Sequence, residues 1–261
     1  MNNMITMTRI ELLKAVRSKV PLLTAAVFLL INLAMALMMF VLKDPELARR
    51  LGIISMKAQL TGGSADWPTY LGMISMVVAL AGLIFFSMIC SWVFGREFAD
   101  GTLKDWLAVP VSRSTVLLAK FITVSIWAVA LVIQLIVISL PLGEWIGLQQ
   151  NTSAVILAGL GRMLISAGLT ILLIFPFAFF AGLGRGYLLP VGVAILTLIA
   201  SQVLATMGWG EVFPWAIPGM YADFSGTGFV LTPSMVWIVI LTGLAGIGIT
   251  LLWYQKADQS R

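Results

Sequence analysis

Six stretches of the chain each run for more than twenty residues without a charged side chain, and the charges gather between them. The stretches lie between Lys19 and Lys43, Asp66 and Arg96, Lys120 and Glu144, Arg162 and Arg185, Arg185 and Glu211, and Asp223 and Lys256. A helix needs about 20 mostly apolar residues to cross a hydrocarbon core of about 30 Å. Each stretch therefore predicts one membrane span, at 20–42, 70–95, 118–142, 161–183, 187–208 and 234–254. Pro233 places the start of the last helix near Ser234, and "GLGRGYLLP" around Arg185 predicts a tight hairpin between spans four and five.

Two polar segments carry a helical pattern of their own. Before the first span, Ile10, Leu13, Val16 and Val20 fall on one arc, with Glu11, Lys14 and Ser18 opposite. This pattern predicts an amphipathic helix lying along the membrane interface, with Arg9 and Arg17 reaching to headgroups; a frayed basic N-terminus is the alternative. The second segment, residues 96–121, holds seven charged residues in 26 positions. Gly101 can stop a helix in the left-handed conformation. Thr102 and Asp105 form a capping-box-like pair that starts a new one. Leu103, Trp106 and Leu107 share a face, Val109-Pro110 ends the helix, and Ser112 or Ser114 caps the third span. A helix of about two turns is marginal alone. It holds its shape either by docking in a groove of a partner or by lying flat on lipid headgroups.

Composition agrees with the pattern. Of 261 residues, 60% are hydrophobic and 10% charged, against about 45–50% and 25% in soluble domains. Mean hydropathy is +1.03. The predicted fold is an all-α integral membrane protein, one membrane domain spanning 1–261, with six spans, an N-terminal interfacial helix and a short helix between spans two and three. The first apolar run ends in Lys43 without a small-residue cleavage site, so it reads as a retained span and not a signal peptide. Eleven of the 16 basic residues fall on one side if both termini are cytoplasmic, the orientation the positive-inside rule predicts. The net charge of +5 is then explained by cytoplasmic loops beside anionic lipid, with no call for nucleic acid.

Several chemistries lack their residues. There is no histidine and one cysteine, Cys90, inside an apolar run. This excludes intramolecular disulfides, cysteine–histidine metal sites and histidine-based catalysis. None of the seven lysines follows a glycine, so no P-loop is present and no ATP is bound through one. None of the six charge-free runs holds an acidic or basic side chain, which a proton relay would need. The mid-span polar residues Asn32, Gln134 and Gln202 either bond between helices or line a substrate pathway. Asp44 and Glu46 are the only acids that a membrane enzyme would have to use, and they would carry the other reading of the chain, a six-span enzyme or a scaffold without an ATPase.

Glu97, Gly101-Thr102-Leu103, Leu107, Pro110-Val111-Ser112-Arg113 and Lys120, set among six spans after a basic amphipathic N-terminus, resemble the permeases of ABC-2 type transporters. "FPWAIPGMY", Phe213 to Tyr221, is similar to the Pro-Trp-containing outer loop of that family. The length and the Met- and Trp-rich style are similar to its compact bacitracin-resistance and lantibiotic-immunity permeases. The resemblance implies a bacterial plasma-membrane exporter and a separate cytoplasmic P-loop ATPase that binds ATP and Mg. Thr102–Val109 would be the coupling helix, with Leu103, Trp106 and Leu107 as apolar anchors; Trp106 stands where an aliphatic residue is more usual. Glu97 would pair with a basic group of the N-terminal helix or of the ATPase. Arg113 and Lys120 would brace the far side against the ATPase, headgroups or span ends. Phe213, Pro214, Trp215 and Pro218 would form a re-entrant outer gate. A second permease chain is expected, a copy of this one or, as the alternative, a second permease type in a heterodimer, with Gly159, Gly161, Gly243, Gly246 and Gly248 small enough for close contact with it. The substrate would be amphipathic or lipid-like, such as a peptide antibiotic.

Overall fold

The computed structural model describes residues 2–44, 64–101, 111–222 and 229–256. The predicted coupling helix, with Thr102, Leu103, Trp106, Leu107 and Pro110, lies outside the described residues, as does Glu46. The described chain is helical apart from turns and a single Asp66–Gln149 bridge. Its helices are α1 (Asn2–Val16), α2 (Val20–Lys43), α3 (Trp67–Ala99), α4 (Arg113–Ile146), α5 (Ser153–Leu173), α6 (Pro176–Leu183), α7 (Leu188–Thr206), α8 (Ile217–Ala222) and α9 (Pro233–Lys256). A 3₁₀ turn, Pro214–Ala216, precedes α8. Six helical units are long and apolar enough to cross a membrane, with α5 and α6 together making the fourth.

Local chemistry sets the ends of these helices. Asp66 caps α3 by accepting from the Thr69 amide at 2.9 Å, and Pro68 sits in the first turn, where its missing N–H costs nothing. Ser112, not Ser114, caps α4 and accepts from the Thr115 amide. That helix stops at Gly147, which is left-handed at φ +69°. Lys43 Nζ donates to the Ile146 carbonyl beside this cap at 2.5 Å.

The fourth span is broken, which the apolar pattern alone did not reveal. Pro176 has no N–H for the Leu172 carbonyl, and the Phe177 amide turns back to Ile174 instead of Leu173. The α9 backbone closes on the break: a Cβ on Gly246 would lie 2.5 Å from Pro176 N, and one on Gly243 2.8 Å from the Leu172 carbonyl. A Cβ on Gly159 would likewise meet Leu71 at 2.5 Å. Three of the five glycines expected at a dimer seam are thus filled from within the chain. Gly161 and Gly248 face open space.

Helix α3 is the centre of the bundle, packing most extensively on α5 and also on α2, α4, α6, α7 and α8. Its core partners are aromatic, with Phe28 stacked on Phe86 and Phe121 between Phe94 and Phe175. The outer flanks of α2, α7 and α9 expose Leu30, Leu37, Leu188, Leu196, Trp237 and Leu241. Faces this apolar have lipid as their solvent. The Asn2 and Lys256 ends share one side, because Glu11 of α1 meets Lys120 near the start of α4, and Arg113 at that start meets the Tyr254 carbonyl of α9. We call this the termini face.

Candidate functional site

At the termini face, four charged side chains from three helices meet. Lys120 on α4 is 1% exposed, and its ammonium contacts Val93 O at 2.8 Å, Glu97 Oε1 at 2.9 Å and Glu11 Oε2 at 3.4 Å. These three contacts use all three donors of the ammonium. Lys14 on α1 adds a 2.6 Å bond to Glu11 Oε1 and a 3.6 Å contact to Glu97 Oε1. The Phe94 ring lies 5.9 Å from the Lys120 nitrogen. Glu11 and Glu97 are each 5% exposed, so two carboxylates and two ammoniums form a neutral, largely dry cluster.

Such burial is costly unless charges are paired and bonded, and here both conditions hold. Burial pushes the Glu11 carboxyl up, but Lys120, Lys14 and Arg96 together outweigh it and hold the group below the ordinary carboxylate value. The cluster also inverts the logic of an amphipathic helix. α1 turns its polar side, Glu11 and Lys14 with Ala15, into the protein and leaves Ile10, Leu13 and Val16 exposed. An outward apolar arc is what a helix beside lipid requires.

The expected residues therefore divide. Glu97 and Lys120 come together at the ends of α3 and α4, the two helices that the loop 100–112 joins. Lys120 offers no donor to headgroups or a partner; it braces span ends. Gly101 is left-handed at φ +68° with open space around it, the conformation that stops α3. Arg113 reaches α9 instead, and its Nη1 donates to Tyr254 O at 3.2 Å. Glu11 and Lys14 were missed as site residues because the polar face of α1 read as solvent-facing. Their i, i+3 spacing was visible, but nothing local told that opposite charges on distant helices would cover it.

The mid-span amides also separate. Asn32 is buried, donates to the Leu135 carbonyl at 2.9 Å and faces Tyr70 Oη at 3.4 Å. Gln134 donates to Ala25 O at 2.8 Å. Both stitch α2 to α4. Gln202 is exposed on α7.

On the opposite face, residues 213–222 fold back into the bundle. Trp215 Nε1 donates to Leu173 O at 3.0 Å, the carbonyl freed by the break before Pro176. Ser166 Oγ donates to Pro218 O at 3.1 Å, and Ile217 is fully buried. Gly243, which abuts the neighbouring Leu172 carbonyl, lies thirteen residues before Lys256, so the indole sits about 20 Å of helix rise above the termini face. Irregular backbone at that depth is tolerated because it is buried in protein. Phe213 packs on the Trp215 ring, and Phe177 flanks it.

Comparison with known proteins places this geometry. The model of the ABC-2 family transporter proteins matches residues 7–201, three quarters of the chain. The chain belongs to the ABC-2 transporter family. It is a permease subunit, a multi-pass protein of the plasma membrane. The matched region holds all four cluster residues and stops before the infolded segment at 213. This permease is also 29% identical to the bacitracin transport permease protein BCRB of Bacillus licheniformis over 184 residues, covering 70% of this chain and 88% of that protein.

Proposed function

We propose that this permease couples ATP hydrolysis on a separate cytoplasmic P-loop ATPase to export of an amphipathic or lipid-like substrate such as a peptide antibiotic. The observation that carries the reading is the buried cluster at the base of the loop 100–112. It ties both helices that flank the loop, and α1 with them, into one body. ATP and Mg belong to the ATPase; this chain receives the motion. Both termini face the cytoplasm, and Thr102–Val109 seats on the ATPase through Leu103, Trp106 and Leu107.

In this mechanism the two ATPases of a complex close on ATP and push the elbows, residues 96–121, of two permease chains. Lys120, Glu97 and Glu11 transmit that push, because moving one helix alone would strip a buried charge of its partner. The spans then tilt as a unit, and the far end opens where Trp215 rests on the broken fourth span. Phe213, Pro214, Trp215 and Pro218 form the closing element on the outer side. A peptide-antibiotic substrate is favoured by the similarity to a bacitracin transport permease.

A pull-down in mild detergent tests the coupling step, comparing wild type with Trp106→Glu. A P-loop ATPase that co-purifies with wild type and is lost from a folded Trp106→Glu protein is the expected result. If wild type recovers no ATPase, the elbow lies on lipid and the coupling reading fails.

A further inference from the structure

A cavity of about 340 Å³ lies between α2, α3 and α7 at the termini-face end of the spans. Val20 and Val27 of α2, Phe85 and Trp92 of α3, and Val191 of α7 shape its walls. From Val20 to Val27 is seven residues, about 10 Å of rise, so the cavity occupies about a third of the hydrocarbon thickness. Spread over that length, its volume leaves a narrow slot of about 34 Å² in cross-section. A single hydrocarbon chain fits it.

The lining makes the same choice. Of the three hydroxyl-bearing residues on the lining, Thr24, Ser91 and Tyr187, the two aliphatic hydroxyls are already engaged: Ser91 Oγ donates to Tyr187 O at 3.0 Å. Thr24 Oγ1 donates to Pro21 O at 3.0 Å and accepts from Trp127 Nε1 at 3.2 Å. The remaining wall is almost wholly apolar. Leu23 and Met88 edge the cavity and are 65% and 44% exposed, so its open side faces lipid.

The mouth, by contrast, is basic. The guanidinium of Arg96 lies 4.9 Å from the centroid of the Trp92 ring. Among the described residues no carboxylate pairs with it within ion-pair distance. Exposed Lys19 immediately precedes Val20, and exposed Arg17 stands two residues earlier. Of the acids that follow it, Glu97 is paired into the charge cluster and Asp100 caps α3 one turn beyond. A greasy slot wide enough for one chain and capped by an arginine at headgroup level matches one kind of molecule.

We infer that the cavity between α2, α3 and α7 binds an anionic phospholipid of the termini-face leaflet, one acyl chain inside and the phosphate on Arg96. The site adjoins the charge cluster, whose Glu11 also feels the Arg96 charge, and does not depend on the substrate or the ATPase. Arginine binds phosphate through two parallel N–H donors, and its cation–π contact with Trp92 holds it at the mouth.

The test is native mass spectrometry of the purified full-length chain in neutral detergent with phosphatidylglycerol or phosphatidylcholine of identical chains. Wild type is expected to retain phosphatidylglycerol over phosphatidylcholine by about tenfold, the scale of one charge-assisted contact. Arg96→Gln should bring the two lipids level. Val27→Trp, and Val191→Phe from the opposite wall, should lose both lipids while keeping a wild-type melting transition. Equal retention of the two lipids by wild type would overturn the site, as would undiminished phosphatidylglycerol on whichever cavity-filling variant folds.

Discussion

The two ends of this molecule are held by different forces. At the termini face, Glu11, Lys14, Glu97 and Lys120 join three helices through buried charge. At the opposite face, Trp215 and Ser166 each make one neutral hydrogen bond with a backbone carbonyl, and packed rings do the rest. Buried charge is unforgiving: a small displacement leaves an ion without its counter-ion. A single neutral bond nets only about 1 kcal/mol, so the infolded segment can release and reseat. In the proposed mechanism the first end moves as one body and the second opens.

The sharpest way to break this contrast is Lys120→Met, which strands two carboxylates. We expect a loss of about 3–5 kcal/mol, seen as failure to recover a monodisperse protein or a collapse of its melting temperature. Adding Glu97→Gln should recover part of that loss. Glu11→Gln should cost less, about 1.5–3 kcal/mol as a lost charged hydrogen bond, and act mainly on α1. Trypsin cutting at Arg9 and Arg17 should accelerate while the spans stay protected.

The same anchor has a pH signature. Glu11 is held below its ordinary value of 4.5, so its contribution is fully present above that pH. It is lost only as pH falls through the lower folded value. α1 should therefore stay protected from neutral pH down to about 4.5 and loosen below it, checked by an acid protease or a spin label on Ile10. Smaller still, Trp215→Phe keeps the ring and removes one bond, with an expected loss of about 1 kcal/mol and no change in α1 protection. Gln134→Leu should cost about 0.6 kcal/mol, and Gln202→Leu, exposed on α7, should leave melting within about 0.5 kcal/mol.

How much of this was legible follows the same division. Charge-free length marks membrane helices regardless of what they pack against, so all six runs could be read directly. Lys120 stood out because it bounds such a run, and Glu97 because it directly follows Arg96, which bounds another. Their partner Glu11 did not, since a polar residue on an amphipathic helix looks identical whether it faces water or a buried lysine. The break at Pro176 was hidden because Ile174, Phe175 and Phe177 keep the stretch apolar through it. Gly243 and Gly246 read as a seam for another chain because small residues announce a close contact but not whose.

The central claim is that the charge cluster makes α1 and the base of the loop 100–112 one coupling body. The most direct measurement is substrate-stimulated ATP hydrolysis by the reconstituted permease–ATPase complex, wild type against Glu11→Gln. The account predicts that the ATPase still co-purifies with the variant while stimulation by a transported peptide antibiotic is lost. A variant with demonstrably released α1 and wild-type stimulation would contradict it.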